Sequence, residues 1–358
     1  MKSLRNIAII PSILGICSVF VLFSIYPNGV ISQLFFFIVG MGTFFYVSRL
    51  PFSFWKAVAL PFYVFVIGLL LVTLVVGKTT KGSSRWLVIG PLHFQPSQLA
   101  VPAIALFLVT FTQSYSMKSL VNVSKFAVLA AIPLVLIFLQ PDLGTATVFF
   151  VISVAIYFFS GVGWKELVGS ALIFIVICAI GWNFVLHDYQ RDRIFSFRNP
   201  EEGTLSTAYN ADQAKNAVGS GKVFGRGFGH GVLSALRFLP ERQTDFFFAS
   251  FAEEFGFVGS FMLLVLYLVF FLQLLLKTRD MQGVFGKLLG VALLSMFIWQ
   301  TTVNIGMNVG LLPITGITLP FLSYGGSSVV SLFLFLAILE SVSRVGKKER
   351  FIEFRSFV

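Results

Sequence analysis

The chain has 358 residues, 57% hydrophobic and 11% charged, with a formal net charge of +11. Soluble domains carry about 25% charged residues, so this composition, with a mean hydropathy of +0.90, excludes a soluble globular protein. Long apolar runs without period-two alternation exclude a β-barrel, and basic loops of a membrane protein account for the charge without nucleic acid.

A helical span needs about 20 apolar residues, and ten runs qualify: 7–26, 30–47, 54–76, 97–111, 126–139, 144–160, 167–186, 246–276, 288–307 and 323–343. The expectation is an all-α polytopic membrane protein, one domain over 1–358. The first run follows only Lys2 and Arg5 and lacks a small-residue cleavage signature, so it reads as a retained span and not a signal peptide. With the N-terminus inside, the inner loops receive Arg49, Lys56, Lys118, Lys125, Lys165, Lys277, Arg279 and Lys287, and the tail at 344–358 is basic. The short outer loops then hold only Lys78, Lys81 and Arg85. The positive-inside rule therefore predicts two cytoplasmic termini and an extracytoplasmic loop at about 187–245, between the seventh and eighth spans.

Several polar motifs punctuate these spans. Ser83-Ser84-Arg85-Trp86 places a cation and an aromatic at an interface, with Arg85 suited to phosphate and Trp86 to anchoring. In Gln95-Pro96-Ser97-Gln98, Ser97 reads as the N-cap of the fourth span. In Gln140-Pro141-Asp142-Leu143-Gly144-Thr145, Asp142 reads as the cap of the sixth. The long loop opens on a polar run ending at Arg193 and continues through a short helix over 209–218 that carries Lys215. It then becomes glycine-rich from 219 to 231, which implies turns, close backbone approach or, less readily, a phosphate cradle. The stretch 311–321 is apolar but broken by Pro313, Gly316 and Pro320; backbone of that kind survives at membrane depth only when buried in protein or lining a cavity. Ser323-Tyr324-Gly325-Gly326-Ser327-Ser328 opens the last span with small residues, fit for close packing or an anion contact. Cys17 and Cys178 lie inside apolar runs, and the scattered His93, His187 and His230 lack metal spacing.

Charge is concentrated at Glu241, Arg242, Asp245, Glu253 and Glu254, where the long loop meets a phenylalanine-rich span. Asp245 has two readings. It caps the eighth span, or it is a general base in glycosyl transfer from a lipid-linked diphosphate sugar to a sugar hydroxyl, with cations holding the leaving diphosphate. The residues alone leave both open.

Arg85-Trp86, Gln95-Pro96-Ser97, QPDLGT at 140–145, Pro240 through Phe246, AEEFG at 252–256 and PFLSYGGSS at 320–328, taken in order, resemble the SEDS family (shape, elongation, division and sporulation), its RodA-type members more than its FtsW-type ones. The resemblance implies ten spans, an O-antigen-ligase-like glycosyltransferase fold and polymerisation of lipid II on the outer face of the cytoplasmic membrane, with undecaprenyl diphosphate as leaving group. It carries the family's catalytic aspartate onto Asp245. It leaves Arg85, Gln95, Ser97, Asp142, Arg193, Lys215, Glu241, Arg242, Ser323, Gly325, Gly326 and Ser327 as candidate substrate contacts. It also implies a class B penicillin-binding protein and elongation-complex membrane proteins as partners, and a divalent cation, Mg2+ or Mn2+, with no ligand set readable here. Gln98 and Val101 stand where the family usually has a glutamate and a lysine. A lipid II flippase, a scaffold that only activates a partner, and a division- or sporulation-type polymerase are the competing readings.

Overall fold

A computed structural model of the chain describes residues 7–80, 83–90, 92–180, 205–235 and 239–344. Ten helices occupy the ten expected segments: α1 (Ile9–Ile25), α2 (Val30–Val47), α3 (Phe52–Val76), α4 (Pro96–Ser114), α5 (Leu120–Leu139), α6 (Leu143–Phe159) and α7 (Trp164–Ile180), then, after two loop helices α8 (Leu205–Ser220) and α9 (Val232–Ala235), α10 (Phe247–Arg279), α11 (Val284–Asn308) and α12 (Gly326–Ser343). Seven of these are long and apolar enough to cross a membrane, and α1 and α6 are shorter apolar helices. The protein is therefore multi-pass, and the full count of ten spans rests on position. Prolines 61, 102 and 133 sit inside α3, α4 and α5, as membrane helices tolerate because neighbours re-satisfy the freed carbonyls.

α4, α11 and α12 form the enclosed centre, with α2 against α12, α3 against α4 and α6 against α11. Ala100, Ala103 and Ala105 give α4 the small surface that close helix approach requires. Val101 is buried in that packing and Gln98 offers its carbonyl to the Ser331 hydroxyl, so the fourth span sits in the bundle without the expected charge pair.

Two features depart from the sequence reading. The chain is not helical throughout: β1 (Lys78–Thr80), β2 (Ser83–Ile89) and β3 (Leu92–Phe94) form a small antiparallel sheet, with Lys78 opposite Trp86 and Val88 opposite His93. The run Trp86–Ile89 is aromatic and β-branched and too short to span, which suits a strand. Second, α10 is interrupted at Gly256 (φ 66°, ψ −162°).

That interruption explains the glycine-rich loop. The carbonyls of Glu253 and Glu254 in the broken helix accept from Arg226 N (2.9 Å) and Gly227 N (3.0 Å). Phe257 N and Val258 N donate to the carbonyls of Lys222 (2.9 Å) and Val223 (3.0 Å). The two backbones touch: a Cβ at Gly225 would strike the Glu254 carbonyl, and one at Gly256 would strike Gly225 N. This part of the loop is thus a seam against α10 and not a phosphate cradle. Gly256→Ala should lower stability by roughly 2–3 kcal/mol, from a backbone region reserved for glycine plus the clash. A fall in the thermal unfolding midpoint of detergent-solubilised protein checks this, and an unchanged midpoint would remove the seam as a stability element.

Candidate active site

Asp245 is half-buried at the entrance to α10. The N-cap position falls to Phe246, which has no capping side chain, so Asp245 does not stand at the cap. The first turn of α10 is served instead by Asn308 of α11, whose Oδ1 accepts from Ala249 N at 3.1 Å.

The turn before the helix is built on Glu241, which adopts a left-handed φ of 51°. Its carbonyl accepts from Thr244 N (3.0 Å) and Phe246 N (3.2 Å), and its carboxylate from the Thr244 hydroxyl (3.0 Å). Arg242 Nε donates to the Ile25 carbonyl at 2.7 Å, which satisfies the C-terminal end of α1. Both residues were candidate substrate contacts, and here both shape the loop that presents Asp245.

Three consecutive carbonyls of that loop are then taken up. Gln243 O accepts from Tyr324 N (2.8 Å) and Thr244 O from the Ser323 hydroxyl (2.6 Å). Asp245 O accepts from Asn304 Nδ2 (3.0 Å) and Asn308 Nδ2 (3.1 Å). The facing segment 313–325 is held in the same way. Asn304 also donates to Ile317 O (2.7 Å), Tyr267 to Pro320 O (2.6 Å), Ser18 to Leu322 O (2.6 Å) and Gln33 to Ser323 O (3.3 Å), while Gln33 Oε1 accepts from Gly325 N (3.2 Å). Phe321, at φ 62°, is wedged among Phe270, Phe297 and Phe333.

Gly316 (φ 77°) lies beneath the carboxylate, where an added Cβ would sit 3.6 Å from Asp245 Oδ2. The neighbouring backbone leads to the second cluster, because a Cβ on Gly144 would come within 2.7 Å of Thr315 O and 2.9 Å of Ile317 Cγ1. Two residues before Gly144, buried Asp142 caps α6 as expected: its Oδ1 accepts from Thr145 N (3.2 Å) and pairs with Arg85 Nη1 (3.4 Å). Its Oδ2 accepts from Gln95 Nε2 (2.9 Å) and from the Ser97 hydroxyl (3.3 Å). Ser97 is therefore not the N-cap of α4, which is Gln95 with Pro96 at the first helical position. Pro96 allows the helix to start at itself, so the cap lies two residues earlier than expected. Ser327 joins the cluster by accepting from Gln95 N at 3.1 Å.

The segment Thr315–Ile317 thus separates two groups of sequence-selected residues, with Asp245, Glu241, Arg242 and Ser323 on one side and Arg85, Gln95, Ser97 and Asp142 on the other. Gly326 leaves room for the Phe36 ring, and Gly325, held through its N–H by Gln33, stands just before α12. Lys215 on α8 pairs with Asp212 at 2.7 Å and packs against Gly310, at the end of α11. Arg193 lies outside the described residues. Glu253 and Glu254 are buried at the seam, Glu253 bonding the start of α9 through Leu233 N (2.8 Å) and Ser234, and Glu254 taking the Ser24 hydroxyl. Sequence reasoning missed Ser18, Gln33, Tyr267, Asn304 and Asn308. The available signal was a lone polar residue inside an apolar helix, strongest for the two asparagines four apart on one face.

The model of the FtsW, RodA and SpoVE cell cycle proteins matches residues 7–348. The peptidoglycan glycosyltransferase MrdB of Escherichia coli is 38% identical over 284 residues, 78% of this chain and 76% of its own. The probable peptidoglycan glycosyltransferase FtsW of Alteromonas naphthalenivorans is 37% identical over 308 residues, 82% of this chain and 58% of its own. Among solved structures, a chain of a peptidoglycan synthase complex that coordinates polymerization and crosslinking superposes with a TM-score of 0.83 at 27% identity, covering 95% of this chain and 97% of that one. The rod shape determining protein RodA of Thermus thermophilus gives 0.71 at 26% identity, covering 95% and 96%.

The Asp142 cluster is testable through stability alone. Asp142→Ala removes the cap of α6 and leaves Gln95 and Arg85 without their shared acceptor, a loss of roughly 2–4 kcal/mol. Thermal unfolding should fall accordingly, and Asp142→Asn, which keeps an acceptor oxygen, should lose less.

Proposed function

Because the chain belongs to the FtsW/RodA/SpoVE family of cell cycle proteins, we propose that Asp245 is the general base of a peptidoglycan glycosyltransferase that polymerises lipid II during cell elongation. The observation that carries the assignment is a half-buried carboxylate whose loop is pinned at three successive carbonyls and whose Oδ2 lies against Gly316. Asp245 takes the proton from the acceptor sugar hydroxyl as that oxygen bonds to the donor's anomeric carbon. The bond from that carbon to the diphosphate breaks, and polyprenyl diphosphate leaves with the electron pair. A rigid loop suits this step, since a general base works only at hydrogen-bond range of the proton it removes.

Arg85 is the candidate for the diphosphate. It lies across Thr315–Ile317 from Asp245, and among the described residues its buried Nε has no protein acceptor. Its Nη1 is oriented by Asp142, leaving the planar guanidinium to meet phosphate oxygens. Among the described residues no three His, Cys, Asp or Glu converge, so those side chains alone do not fit a resident Mg2+ or Mn2+. Mg2+ is commonly held largely through substrate phosphates.

The chain is one membrane domain in the cytoplasmic membrane, with both termini inside and Asp245 on the outer face; the bias of Lys and Arg in the short loops supports this orientation. No nucleotide sugar is available there, which favours a donor carrying its own diphosphate. A class B penicillin-binding protein is the expected partner, alongside the elongation machinery. The likeness to a chain of a synthase complex that couples polymerization to crosslinking supports this. Purified protein with that partner should convert lipid II to long glycan strands, and Asp245→Ala should slow the reaction by 10²-fold or more, on the order expected for a general base. Strands of normal length and yield from Asp245→Ala would sink the assignment, and lipid II scrambling in liposomes by that variant would favour a flippase instead.

A further inference from the structure

Asn304 and Asn308 are both fully buried, one helical turn apart on the same face of α11. An uncharged amide in an apolar helix costs free energy unless its hydrogen bonds are made. Here Asn304 Nδ2 bridges Asp245 O and Ile317 O. Asn308 Nδ2 reaches Asp245 O and Asn304 O (2.7 Å), and its Oδ1 holds Ala249 N. The pair therefore touches the residue proposed as base, the first turn of the helix after it, and the backbone beside the glycine beneath it. Both amides act through the carbonyl of Asp245, and so bear on where its carboxylate stands.

We infer that Asn304 and Asn308 are positioning residues that set the place and aim of the Asp245 carboxylate relative to Gly316. The inference rests on the reading of Asp245 as the base. The two donors converge on one carbonyl, so the peptide plane after Asp245 cannot rotate without breaking both bonds. Asn304 extends the same constraint to Ile317, next to Gly316, so base and facing segment move as one body. A displacement of about 1 Å at such a site costs on the order of 100-fold in rate.

Asn308→Asp separates this role from simple packing. The introduced carboxylate keeps an acceptor for Ala249 N, and so keeps the helix start, but when ionised it cannot donate to Asp245 O. Of the charged groups, Asp245 meets Asn308 through its carbonyl, and Lys215, paired with Asp212, packs on Gly310 two residues along the chain. The expected result, with the wild-type protein and its partner on lipid II, is folded protein with kcat lower by on the order of 100-fold and KM nearly unchanged. The ratio of variant to wild-type kcat should rise as pH falls, because the protonated carboxyl donates again. Asn304→Ser, too short to bridge both carbonyls, should lower kcat in the same way without the pH-dependent recovery. Wild-type kcat in both variants, or a loss that follows the fraction of unfolded protein and is flat with pH, overturns the inference. Asp245→Ala in the same assay distinguishes the two levels: if it is active, the base assignment falls and the inference with it. If it is inactive while both asparagine variants run normally, only the positioning role falls.

Discussion

Everything around Asp245 depends on a shortage of water. Residues 241–246 and 313–325 are irregular backbone packed among spans, and each of their peptide groups must find its partner inside the protein. The solution is a set of five isolated polar side chains sent in from four different helices: Ser18 from α1, Gln33 from α2, Tyr267 from α10, and Asn304 and Asn308 from α11. Each is an expensive residue in an apolar helix, and each is offset by the carbonyl it satisfies. The loop and the facing segment also satisfy each other, through Tyr324 N on Gln243 O and the Ser323 hydroxyl on Thr244 O. A carboxylate carried by such a loop is held by the bundle as a whole.

This arrangement assigns different work to residues that look alike in the sequence. Asp142 and Asp245 both stand near helix starts. Asp142 is saturated, with one oxygen capping α6 and facing Arg85 and the other taking Gln95 and Ser97. Asp245 stands one residue outside its helix, where Phe246 takes the cap position and Asn308 serves the first turn. Glu253 and Glu254 resemble Asp142 more than Asp245, since both are buried and hydrogen-bonded at the seam.

Much of this was legible beforehand, and the limits have physical causes. Apolar runs located all ten helices because span length is set by the bilayer and not by tertiary detail. The cap at Asp142 was legible because Pro141 ends one helix and the next must begin there. Pro313, Gly316 and Pro320 announced irregular backbone that needed burial, and burial is what they have. Ser97 was misassigned as a cap because its local chemistry suits one, and only the fold brings Asp142 of another helix to it. The sheet at 78–94 was missed because strands of three and seven residues carry too little pattern beside stronger helical runs. The clamp of Asn304 and Asn308 depends on which helix faces which, and a single polar residue in a span does not name its partner.

The seam between the glycine-rich loop and the break in α10 has a consequence of another kind. Where two side chains meet, an enlargement on one side is accommodated by a reduction on the other, and lineages drift through such paired exchanges. At Gly225 and Gly256 the opposing surfaces are main chain on both sides. A peptide group has nothing left to shed, so no second substitution restores the first. The contact has no compensatory route open to it, and the sequence on either side of it is free to diverge only by leaving those two positions as they are.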